Sequence, residues 1–157
     1  MEIIKNILVV SRMTQYCRHA VRYGVSLAKK YDAELQVLHL VSNPGSIKAV
    51  NAPAILFKEE DVKNYKNIQR EAKEELDRVI RQEIRGGFPI KELIRDGEPI
   101  KEIVKVVNEE KIDLIVMLAH EVGNLEHALF GGDNDALIHK LPCSILLVKK
   151  EPEPVKW

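Results

Sequence analysis

The chain has 157 residues, a length at which about 68–70% of the unfolded surface is buried, so one domain with a sizeable core is expected. Charged residues make up 31% and cancel to a formal net charge of zero, which leaves no global field to draw the chain to DNA, RNA or anionic lipid. The longest strongly apolar stretch, 112 to 119, contains Asp113 and falls far short of the ~20 residues of a membrane span, and "MEIIKN" has no signal-peptide character, so a cytoplasmic location is expected.

Apolar runs alternate with helical patterns along the whole chain, the signature of a parallel sheet covered by helices. "IIKNILVVS" (3 to 11) is rich in Val, Ile and Leu, as a strand buried on both faces must be. Cys17, Ala20, Val21, Gly24, Val25, Leu27 and Ala28 then recur at intervals of three and four, one stripe of a helix for which Thr14 is the expected cap. "ELQVLHLV" (34 to 41) is the second strand, followed by a long surface loop from 42 to 58 that carries two prolines and a glycine. A charged helix over 59 to 85 places Val62, Tyr65, Ile68, Ala72, Leu76, Val79, Ile80 and Ile84 on one face. "RGG" (85 to 87) closes it, a glycine pair fitted to a left-handed cap.

"PIKELIRDG" (89 to 97) alternates apolar and polar residues, as an edge strand does. A helix starts near Pro99, with Ile100, Ile103, Val104 and Val107 facing inward. "IDLIVMLA" (112 to 119) and "SILLVKK" (144 to 150) are strands four and five, and a further helix is expected to open at Gly131-Gly132. The domain is expected over 1–150, with "EPEPVKW" (151 to 157) as a flexible tail. Cys17 and Cys143 match no redox pair or zinc knuckle and are expected to be free thiols.

Five strands and about four helices in this order make an α/β, single-domain doubly wound sheet of Rossmann-like type, with right-handed crossovers. Such a sheet binds ligands beyond the carboxyl ends of its strands, where the strand order reverses. The candidate site therefore lies between Val10-Ser11-Arg12 at the end of strand one and Leu118-Ala119-His120 at the end of strand four, with Leu40 ending strand two nearby.

"NILVV" near the start, "LHLV" ending strand two, "DGEPIKEIVKVVNEEKIDLIVM" (96 to 117) and the closing "LPCSILLVK" together resemble a universal stress protein domain, and the similarity covers essentially residues 3 to 149. The third piece is the most specific: a G-x-P turn, Glu-Ile near a helix start, and an acidic residue just before an apolar strand. The resemblance implies a five-stranded parallel sheet of order 3-2-1-4-5 and a homodimer, often paired through the last strand. In one branch of the family it also implies bound ATP.

That branch carries G-x2-G-x9-G followed by Ser or Thr from the end of strand four, positions that fall here on Leu118, Glu121, Gly131 and Gly132. Two glycines are replaced, the hydroxyl residue is a glycine, and the Asp that the branch places after strand one is Arg12. A glycine beside a phosphate chain lets backbone N–H groups approach closely, which the branched side chain of Leu118 obstructs. Glu121 adds an anion; two unit charges ~6 Å apart at an effective dielectric of ~20 repel by roughly 3 kcal/mol. Such a penalty corresponds to about a hundredfold in affinity. Gly131-Gly132 still offers a helix N-terminus, but Asp133, Asn134 and Asp135 are expected to cap its donors from within rather than leave them to an external phosphate. For Arg12 a salt bridge with Glu121 is the favoured use.

No G-x-S-x-G, P-loop or G-x-G-x-x-G occurs, so serine-hydrolase, NTPase and dinucleotide-oxidoreductase readings lose their main support. "HEVGN" falls one residue short of H-E-x-x-H, and no metal is expected at His120, His127 or His139. His39 is expected to be a hydrogen-bonded structural residue. The expected function is a non-enzymatic stress-response module that binds no cofactor and acts as a homodimer through protein contacts. The alternative is an ATP- or AMP-responsive switch with a modified site at Ser11, Arg12, Leu40, His120, Gly131 and Gly132 and at most slow hydrolysis. A metal-dependent hydrolase built on His120 stands third.

Overall fold

The computed structural model describes residues 3–11, 17–41, 59–119 and 139–149. The apolar runs pair side by side because each is buried on both faces and can satisfy its backbone only through neighbouring strands. β1 (Asn6–Ser11) pairs with β2 (Glu34–Val41) on one side and β4 (Leu114–Leu118) on the other; β3 (Ile90–Asp96) and β5 (Ser144–Val148) form the edges. All four pairings are parallel, in the order β3-β2-β1-β4-β5 that the family resemblance implies. Burial follows position: Ile7 to Val10 of β1 are at most 1% exposed, whereas β3 alternates half-buried with exposed residues, as its sequence predicts for an edge.

Strand alternation divides the core in two. Ile7 and Val9 face α1 (Cys17–Tyr31) and α2 (Glu59–Arg85), packing with Ala20, Val21, Val25, Leu76 and Ile80. Leu8 and Val10 face α3 (Pro99–Glu109), packing with Leu38, Ile103, Val106 and Val107. Val106 rather than Val104 completes the buried stripe of α3; the sequence period fits either neighbour and the helix rotation decides. Ile84, expected on the inner face of α2, is 45% exposed in the last turn of the helix. A fourth helix, expected from Gly131-Gly132, lies outside the described residues, as do Thr14 and the 42–58 loop.

Among the described residues, α1, α2 and α3 end in the same way. Ala33 N–H donates to Ala28 O, Phe88 N–H to Glu83 O and Ile112 N–H to Val107 O, each across five residues, with Asp32, Gly87 and Lys111 in the left-handed region just before. This is the Schellman closure, with an apolar residue following the left-handed one. Only Gly87 is a glycine, so only that stop was legible; Asp32 (φ +53°) and Lys111 (φ +51°) hold a conformation that side chains disfavour.

The acidic residue preceding β4 also acquires a physical role. Asp113 Oδ2 accepts the backbone N–H groups of Lys5 and Asn6, both at 2.9 Å, while Asp113 N–H donates to Asn6 O at 2.9 Å. One carboxylate thus aligns the starts of the two central strands. At the same end of the sheet, the Lys91 ammonium bonds Glu110 at 2.8 Å and holds its carboxyl below the ordinary range. A depressed carboxyl stabilises the fold above its unfolded pKa, and that stability disappears as pH falls through the folded value; Glu110 is solvated, so the contribution is small.

Candidate functional site

In a sheet of order 3-2-1-4-5 the connections leave β1 and β4 in opposite directions, and the gap between their carboxyl ends is the natural ligand crevice. Val9 pairs with Val116, and two residues beyond each lie Ser11 and Leu118. Alternation puts both on the α1 face. Ser11 is fully buried, and Leu118 is half-buried, packed on the cluster containing Val9 and Val116. Ala119 N–H donates to Val148 O at 2.8 Å, so the backbone leaving β4 stays tied to β5.

Leu40, by contrast, is 2% exposed on the opposite face, in the cluster of Leu8, Val10, Ile103 and Met117. Ser11 and Leu118 therefore lie on one face of the sheet, and Leu40 packs into the core on the other. Arg12, His120, Glu121, Gly131 and Gly132 lie outside the described residues, as do His127 and the Asp133 to Asp135 run. Among the described site residues the crevice has an aliphatic wall at Leu118 and one buried hydroxyl at Ser11, and neither carries charge.

His39 behaves as its sequence position suggested. It is 1% exposed, and its Nε2 lies 3.0 Å from Glu92 Oε1 on the edge strand β3. Sequence reasoning did not find Glu92 as the partner, because the two lie far apart in the chain and meet only through the β2–β3 register, where Val37 pairs with Glu92. Cys17 and Cys143 are both free; burial, and secondarily the Asp113 charge, pushes the Cys143 thiol up, away from the reactive thiolate form. No helix among the described residues is long and apolar enough to cross a membrane.

The model of the universal stress protein family matches residues 4–149. Universal stress protein MJ0531 of Methanocaldococcus jannaschii is 27% identical over 154 residues, which cover 93% of this chain and 82% of that protein. The solved structure of protein MJ0577, from the same organism, superposes with a TM-score of 0.61 at 27% identity, covering 96% of this chain and 99% of that one. A universal stress protein family protein from Arabidopsis thaliana, solved with AMP bound, shares the fold with a TM-score of 0.59 at 13% identity, covering 97% of both chains.

Proposed function

The chain belongs to the universal stress protein family, and from that premise we propose that it is a non-enzymatic regulatory module of the stress response, acting as a homodimer, whose adenine-nucleotide crevice no longer accepts a triphosphate. The observation that carries this reading is Leu118: a branched, half-buried side chain stands at the carboxyl end of β4, where the resemblance calls for a glycine beside the phosphates. Glu121 in place of the second glycine, and Arg12 in place of the acidic residue after β1, point the same way. The AMP bound to the Arabidopsis relative supports the second reading, a nucleotide-responsive switch that keeps a modified site around Ser11 and Gly131-Gly132.

Thermal unfolding with and without millimolar Mg-ATP or AMP separates the two. The expected midpoint is unchanged by either nucleotide, whereas the Leu118→Gly/Glu121→Gly variant gains a shift with Mg-ATP. A ligand at 100 times its dissociation constant stabilises by about 2.7 kcal/mol, or roughly 5–10 °C in a domain of this size. A shift of that size in the unmodified protein decides for the switch and against the closed crevice.

Homodimerisation rests on β5. It is an edge strand with β4 on one side only, and Leu147 is 40% exposed on it, a template for pairing with a second copy. Sedimentation equilibrium at micromolar concentrations should give a dimer for the unmodified chain and a monomer for Leu147→Lys. A monomer in both, or a dimer indifferent to the lysine, removes β5 from the interface.

A further inference from the structure

One strand over from the β1/β4 crevice, where His39 of β2 is the register partner of Ser11, a pocket of about 230 Å³ opens between α2 and the β2–β3 edge, lined by His39, Lys73, Asp77, Arg81, Glu92 and Ile94. Its assembly follows from two periods. Lys73, Asp77 and Arg81 recur every four residues and so form one stripe of α2, while His39 and Glu92 are brought together by the parallel register. His39, Asp77 and Glu92 each present one ligand atom, and these atoms all lie within 4.8 Å of one another.

We propose that His39, Asp77 and Glu92 bind a divalent cation of the zinc class, with one imidazole nitrogen and two carboxylate oxygens as protein ligands and water completing the shell. Three observations carry this. The donor set is the imidazole and carboxylate mixture that such ions take. The 3.0 Å between His39 Nε2 and Glu92 Oε1 is close to the ~3.3 Å that separates neighbouring ligands on a tetrahedral ion with bonds of ~2.0–2.1 Å. The His39 side chain is 2% exposed, so its Nε2 is held in place beside Glu92 and the pair is pre-positioned to share an ion.

The flanking cations set the strength. Lys73 Nζ holds Asp77 Oδ2 at 2.8 Å, and Arg81 faces the same pocket, so the two carboxylates are already offset. The ion must compete with Lys73, which places its affinity well below that of a structural zinc centre. A distinctive consequence follows: removing Lys73 frees Asp77 and strengthens ion binding, which a purely structural ion pair does not do.

The test uses the full-length chain, untagged and stripped with a chelator, titrated with zinc chloride by calorimetry and followed by thermal unfolding. One equivalent is expected to bind and raise the midpoint. Asp77→Asn and Glu92→Gln, both at positions with solvent access, should each weaken binding at least ~tenfold, and Lys73→Met should tighten it several-fold. His39→Gln should abolish it, but that side chain is buried and the carboxylate variants keep the question answerable if the variant fails to fold. No binding to the stripped protein overturns the proposal. So does binding that Asp77→Asn and Glu92→Gln leave unchanged, since the ion then sits on other histidines of the chain. A Lys73→Met protein that binds no more tightly removes Asp77 from the ligand set. The proposal does not rest on the function proposed for the β1/β4 crevice.

Discussion

Leu8→Ala is expected to destabilise the protein by about 2–5 kcal/mol, the range for a buried leucine whose surroundings cannot collapse into the space it leaves. Leu8 is 0% exposed on the central strand and packs in the cluster that joins β1, β2, β4 and α3 through Leu38, Ile103 and Ile115. Its own strand is fixed on both sides by ladder hydrogen bonds, so the sheet cannot relax toward α3 to fill the cavity. At roughly 2–4 °C per kcal/mol for a domain of this size, the thermal midpoint should fall by roughly 4–20 °C. Urea unfolding should show a lower midpoint with an unchanged slope, which separates lost packing from a change in the unfolded state. A loss under about 1 kcal/mol would mean that the α3 face is not packed to the usual density of protein interiors.

Gly24 gives the second large effect, in a direction opposite to helix propensity. In an isolated helix Gly→Ala is worth about 0.8–1 kcal/mol of stabilisation. Here a Cβ built on Gly24 meets Val9 Cγ2 at 2.4 Å and Leu35 Cδ1 at 3.2 Å, both on side chains that are at most 2% exposed. Both side chains are enclosed in the core with no free space to swing into, so α1 must lift off the sheet. Gly24→Ala is expected to lose about 1–2 kcal/mol net, and Gly24→Val about 3 kcal/mol or more. Gly86→Ala is the control, because a Cβ there has nothing closer than 3.4 Å, and it should be neutral or slightly stabilising. Thermal or urea unfolding of the three variants decides the matter; a stabilised Gly24→Ala would show that α1 does not approach β1 as closely as this packing requires.

Much of the architecture was legible because it depends on period and composition. β2, α2 and the start of α3 at Pro99 fall where the sequence placed them, and the edge character of β3 showed in its alternation. Strand ends were less so: β1 begins at Asn6 rather than Ile3, which is 78% exposed. The candidate crevice was read from chain order alone. Ser11 and Leu118 share the α1 face of the sheet and Leu40 lies on the opposite face, because a shift of one residue along a strand moves a side chain to the other face.

Local pattern by itself determined the alternation of strands and helices, the buried stripes and the glycine stop after α2, since each depends on residues within a few positions of one another. Tertiary structure alone decided that Gly24 must remain without a side chain, that Asp113 clamps the start of β1, and that His39, Asp77 and Glu92 surround one pocket. Those relations join residues distant in the chain whose separation is set by strand register and by the height of a helix above the sheet, and neither quantity leaves a periodic trace in the sequence.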